Sequence, residues 1–238
     1  MITIRNLHKQ YRKLHVLKNI NLEFDGAKKC IALIGPNACG KTTLIKCMLN
    51  LVTPQTGEVI ISGLNVRRDS EIRRLIGFMP QAANFPGHLS VEDTFRLIRT
   101  VRGDQNEADD ELYQSFHMDR IATKKMGTLS GGTVQKVSAA LAFMFRPQLI
   151  ILDEPFAGLD PLASAILKEK ISKEKDNGKL IFITSHVLSE LDNLASHIVF
   201  MEEGEVLFYK PVRTLLEDTG EPAITDAVMK ILRQTQHE

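Results

Sequence analysis

The sequence predicts an α/β fold: a mostly parallel sheet, an antiparallel β layer ahead of it, and an inserted α-helical segment. Three observations carry this. LIILDEP from Leu149 and KLIFITSH from Lys179 are strongly apolar and flank the amphipathic run PLASAILKEKISKEK, as strands buried on both faces and joined through a helix must be. KKCIALIG, ending at Gly35, is another short apolar strand, and KTTLIKCMLNL follows it with helical spacing at Leu44, Cys47, Met48 and Leu51. From about Asn84 the chain turns helical, through VEDTFRLIRTVR, DDELYQSFHM and GGTVQKVSAALAFMF.

The remaining elements follow in order. MITIRNL alternates apolar and polar residues, VLKNINLEF follows, and Asp25-Gly26 breaks the pattern, which predicts strands of the antiparallel layer. GEVIISG (57–63) and LIGFMPQ add two short strands, SHIVFMEEGEVLFYK a closing pair, and the last thirty or so residues short helices. The expected organisation is one domain over 1–238. Its core with the β layer spans 1–83 and 147–210, a helical subdomain 84–146, and a short helical tail 211–238.

With 238 residues the chain can bury a sizeable core. Thirty basic residues against 29 acidic leave a formal charge of +1, so nothing asks for nucleic acid. Cys30, Cys39 and Cys47 lack zinc-site spacing and read as free thiols in a reducing cytosol. The start lacks the apolar core of a signal peptide, and the longest apolar run, AALAFMF, falls far short of the ~20 residues that cross a bilayer. Any membrane association is expected to come through a partner.

Residues 35–42 match G-x-x-x-x-G-K-[ST] in full, after a strand and opening a helix. Successive backbone N–H groups of such a loop, with the positive end of the helix behind them, cradle phosphate. Lys41 can reach the β- and γ-phosphates, the Thr42 hydroxyl suits Mg²⁺, and Thr43 is a phosphate neighbour. LIILDEP supplies the second half of such a site: Asp153 to hold magnesium and Glu154 to accept a proton from attacking water, both at a strand's C-terminal end.

LSGGT, residues 129–133, lies between these motifs, and with Tyr11, Gln81 in GFMPQ, AGLD at 157–160 and His186 in ITSH the chain resembles the nucleotide-binding subunit of ABC transporters. The resemblance reaches to about residue 217 and implies a P-loop NTPase with a RecA-like core. It further implies that Tyr11 stacks on adenine, and that Gly35, Pro36, Asn37, Ala38, Cys39, Gly40, Lys41, Thr42 and Thr43 hold the phosphates. Gln81 would reach the magnesium and water from a loop that also touches the membrane partner, and His186 would contact the γ-phosphate. Ser130, Gly131, Gly132 and Asp160 would act on ATP held by the other subunit, so a head-to-tail dimer is expected, of two copies or with a related chain.

Ala38 and Cys39 replace a more usual glycine and serine. Alanine restricts φ, so the loop is expected to suit an L-residue, and thiol modification at Cys39 is expected to inhibit. Thr133 stands where glutamine is common, which alters a contact towards the opposite ribose. The implied protein is an ATP-hydrolysing subunit, cytoplasmic and peripheral on the membrane's cytoplasmic face, that drives a separate integral membrane permease. FPGHLSVEDTFRL resembles the lineage paired with ABC-2-type permeases, which favours export. The alternative is a soluble ABC ATPase such as an iron–sulfur cluster assembly factor.

Overall fold

The computed structural model describes residues 2–26, 28–103 and 108–235. It divides into two compact units, residues 1–73 with 182–238, and residues 74–181.

The first unit opens on an antiparallel pair, β1 (Ile2–Tyr11) and β2 (Leu14–Phe24), in register from Ile2 opposite Phe24 to Tyr11 opposite Leu14. Ile2, Ile4, Leu17, Ile20, Leu22 and Phe24 are buried, the inward half of the alternating pattern. The ladder slips between Ile4 and Leu7, and Asn6 takes φ 45° there, a left-handed conformation asparagine tolerates. Next come β3 (Lys29–Ile34), α1 (Lys41–Met48), β4 (Thr56–Ile61) and β5 (Leu64–Asn65), a two-residue strand too short for any sequence pattern to reveal. The antiparallel layer runs β2-β1-β4-β5.

The second unit contains β6 (Ile76–Met79), α2 (Val91–Arg102), α3 (Glu111–Ser115), α4 (Gly131–Phe143), β7 (Leu149–Asp153) and α5 (Pro161–Asp176). β6 and β7 pair in parallel, Ile76 opposite Leu149 through Met79 opposite Leu152. Gly77 brings β6 against α4, since a Cβ there would lie 2.0 Å from the Ala142 carbonyl. Ser90 and Asp93 form a capping box that starts α2, and Gly103 in the left-handed region ends it. DDELYQSFHM, expected as a helix, gives only the five residues of α3. His117 at φ 52° breaks the helical path before a short 3₁₀ turn, Met118–Ile121.

Lys170 on α5 has a side chain 2% exposed, with Asp109 at 2.7 Å, Glu111 at 2.8 Å and Glu174 at 2.9 Å. Burial pulls its pKa down, but these hydrogen-bonded carboxylates outweigh burial and raise it, so the ammonium stays charged.

β8 (Leu180–Thr184) starts at the boundary, and β9 (His197–Glu202), β10 (Glu205–Pro211), α6 (Val212–Thr219) and α7 (Ile224–Thr235) complete the first unit. There the strands neighbour one another as β8-β3-β9-β10. β3 and β9 are parallel, Ile31 opposite His197 through Ile34 opposite Phe200, and β10 is antiparallel to β9. Phe24 packs edge-on against Phe182 at 4.8 Å and Tyr209 at 5.2 Å, tying the antiparallel layer to this sheet. The α/β class with a mostly parallel sheet and an antiparallel layer holds as the sequence predicted.

Candidate functional site

The glycine-rich loop joins β3 to α1, and its shape comes from close approach. A Cβ on Gly35 (φ 146°) would fall 2.0 Å from the Met201 carbonyl, and one on Gly40 (φ 110°) 2.7 Å from that of Val16. Both positions therefore need glycine before any ligand is considered. The expectation that the loop suits an L-residue is corrected at Ala38, which has φ 64°, where a side chain costs ~1–2 kcal/mol. Pro36, Asn37 and Ala38 are exposed, while Cys39 is 3% exposed and closed off from reagents unless the loop opens. Burial also pushes the Cys47 thiol up to about 11, with Lys9 opposing.

Lys41 folds back onto its own loop. Its ammonium donates to the Gly35 carbonyl at 2.7 Å and the Pro36 carbonyl at 2.9 Å, with Cys39 Sγ at 3.7 Å. Thr42 and Thr43 in the first turn of α1 are half-buried. Tyr11, at the end of β1, is 42% exposed, and Lys9 Nζ lies 4.8 Å from its ring centroid. His186 is exposed on the loop after β8. Buried Ser185 shapes that loop, donating to Glu190 Oε2 at 2.9 Å and accepting from the Val187 amide at 3.0 Å. Sequence reading did not single out Ser185, though its polarity directly after a buried strand was a signal.

In the second unit Asp153 closes β7 and is 4% exposed, and Glu154 follows at φ 51°. A non-glycine residue held there stores backbone strain of the kind that collects at active sites. Ser130 caps α4, accepting from the Thr133 amide at 3.3 Å, and its hydroxyl pairs with Thr133 Oγ1 at 2.8 Å. Thr133, the departure noted in the sequence, thus supports the cap. A Cβ on Gly131 would meet nothing within 4 Å, whereas one on Gly132 would lie 2.5 Å from the Gly158 carbonyl. Asp160 caps α5, taking the Ala163 amide at 2.9 Å on one oxygen and Lys136 Nζ at 2.6 Å on the other. Lys136, with the Ala163 amide adding, holds this carboxyl below its ordinary range. Gln81 is exposed, but its carbonyl accepts from Gln135 Nε2 at 2.7 Å. Gln135 and Lys136 were missed in the sequence. The signal for Gln135 was a polar residue on the apolar face of α4.

Tyr11, the 35–43 loop and His186 therefore lie in the first unit, and Gln81, Ser130–Gly132, Asp153, Glu154 and Asp160 in the second.

The ABC transporter family model matches residues 17–157, more than half of the chain. The chain belongs to this family and is an ATP-binding cassette ATPase. Similar proteins include the lantibiotic transport ATP-binding protein SrtF of Streptococcus pyogenes, 35% identical over 88% of this chain and 90% of its own length. The lipopolysaccharide export system ATP-binding protein LptB of Escherichia coli (strain K12) is 29% identical over 91% of this chain and 93% of its own. Among solved structures, an ATP-binding subunit of an ABC transporter superposes with a TM-score of 0.89 at 26% identity, covering 98% of this chain and 99% of that one. The dimeric structure of a bacterial ABC transporter cassette superposes at 0.79 with 25% identity, covering 90% and 99%. These transport proteins do not favour the soluble-assembly alternative. Among the described residues no helix is long and apolar enough to cross a membrane.

Proposed function

We propose that the chain is the motor subunit of an ABC exporter, working as a head-to-tail dimer around two Mg-ATP on the cytoplasmic face of a separate membrane permease. The observation that carries this reading is the complete chemical set in one chain: Lys41 in a glycine loop, Asp153 and Glu154 at a strand end, His186 on its loop, and a signature segment capped by Ser130. Residues 84–146 are taken as the helical subdomain that presents this segment.

Lys41 would exchange the Gly35 and Pro36 carbonyls for the β- and γ-phosphates, while backbone amides of residues 35–43 cradle them and Tyr11 stacks on adenine. Thr42, Gln81 and Asp153 offer oxygen donors, the kind magnesium accepts. Among the described residues no group of three or more His, Cys, Asp or Glu forms a metal site, which fits an ion held jointly with phosphates rather than by a protein cage. Bound there, magnesium would neutralise charge building on the phosphate oxygens. Glu154 would take the proton from water, His186 would hold that water against the γ-phosphate, and Ser130, Gly131, Gly132 and Asp160 would serve the partner's nucleotide.

A groove of about 320 Å³ in the second unit, lined by Phe78, Pro80, Phe85, Ile98, Leu141 and Phe145, supports permease docking beside the Gln81 loop. Export is supported by the export function in LptB's name. Purification with native partners in mild detergent tests the reading. A multi-spanning membrane protein is expected to co-purify, and a soluble assembly factor in its place would contradict it.

A further inference from the structure

Two neighbouring residues of α4 reach two different loops. Successive helical residues point about 100° apart, so Gln135 turns inward, 8% exposed, while Lys136 turns to the 26% exposed edge. Gln135 donates to the Gln81 carbonyl at 2.7 Å across 54 residues, and Lys136 to Asp160 at 2.6 Å across 24. Among the described residues, Gln135 Oε1 is the buried side-chain polar atom left without a hydrogen-bond partner. The Gln81 carbonyl requires the NH₂ end of the amide, so the acceptor end is left over. An apolar side chain would avoid that cost but supply no donor. The loop carrying Asp160 also passes close to α4, where a Cβ on Gly132 would lie 2.5 Å from the Gly158 carbonyl.

We propose that Gln135 and Lys136 are positioning residues. Gln135 sets the backbone of the loop that carries Gln81, and Lys136 sets Asp160, so a shift of Ser130–Gly132 passes through α4 to both loops. This rests on the proposed ATP-dependent dimer, in which those loops act on nucleotide. Neither side chain touches ATP in this scheme. Both tie the element that reads the partner's γ-phosphate to the elements that complete hydrolysis.

The test uses the full chain with Gln135→Met, Lys136→Met and Lys136→Arg. Steady-state ATPase gives kcat and KM, thermal unfolding gives stability, and hydrogen exchange of amides 81–85 and 156–160 is followed with and without Mg-ATP in a Glu154→Gln background. Both Met variants are expected to keep KM within about twofold and lose kcat about tenfold or more, because the loops are misplaced while the nucleotide-binding loop is untouched. ATP-induced protection is expected to vanish at 81–85 in Gln135→Met and at 156–160 in Lys136→Met, and Lys136→Arg to recover most of the latter. Unchanged kcat and protection in the Met variants would overturn the inference. So would a loss that merely follows the folded fraction, with arginine no better than methionine. A parent chain that fails to dimerise on ATP would sink the proposed function first, and this inference with it.

Discussion

At Gly131 and Gly132 two identical residues have different reasons to be glycine. Gly132 is fixed by the fold, because its Cβ would press on the Gly158 carbonyl, while the fold leaves room at Gly131. We predict that Gly132→Ala destabilises by roughly 1–3 kcal/mol, the usual cost of forcing extra atoms into packed structure. Gly131→Ala should melt at or above the parent temperature yet lose ATPase, since only a nucleotide approaching the backbone needs that space. Thermal melts paired with activity separate the two, and an active Gly131→Ala would mean that the signature backbone is not read closely. The residue types of the site were legible because each motif carries its chemistry in a few contiguous positions. The strain at Ala38 and Glu154 was not, because their φ values are set by surrounding structure rather than by neighbours in sequence.

Among the elements, α3 and α5 are joined by the Lys170 cluster. Lys170→Met would strand the carboxylates of Asp109 and Glu174, whose side chains are 14% and 9% exposed, at a cost of ~3–5 kcal/mol. The pH dependence has a definite sign. Hydrogen bonding from Lys170 first, against opposing burial and with Lys173 adding, holds Glu111 below its ordinary 4.5. The folded state then binds fewer protons than the unfolded one. The contribution is complete above about pH 4.5 and drains away as pH falls through the lowered folded value. Denaturant titrations between acid and neutral pH should show this limb in the parent and a flatter one in Lys170→Met. A variant as stable as the parent would show the cluster to be inert. Most elements were legible from periodicity. α3 was overdrawn because the left-handed turn at His117 leaves no periodic trace, and this cluster was invisible because Asp109 and Glu111 lie 61 and 59 residues from Lys170.

For the whole molecule, the strand-loop-helix, the closing strands and the ABC motifs were readable because each is a local pattern. The links from α4 to Gln81 and to Asp160 were not, since pairings across 54 and 24 residues leave no local mark. The central claim is that ATP is bound between two copies of the cassette and cleaved with Glu154 as the base. Sedimentation of Glu154→Gln with Mg-ATP tests it most directly. A dimer retaining uncleaved ATP is predicted, alongside a monomer without nucleotide, because phosphate binding survives while water activation is lost. A monomer at saturating ATP, or turnover at the parent rate, would contradict it.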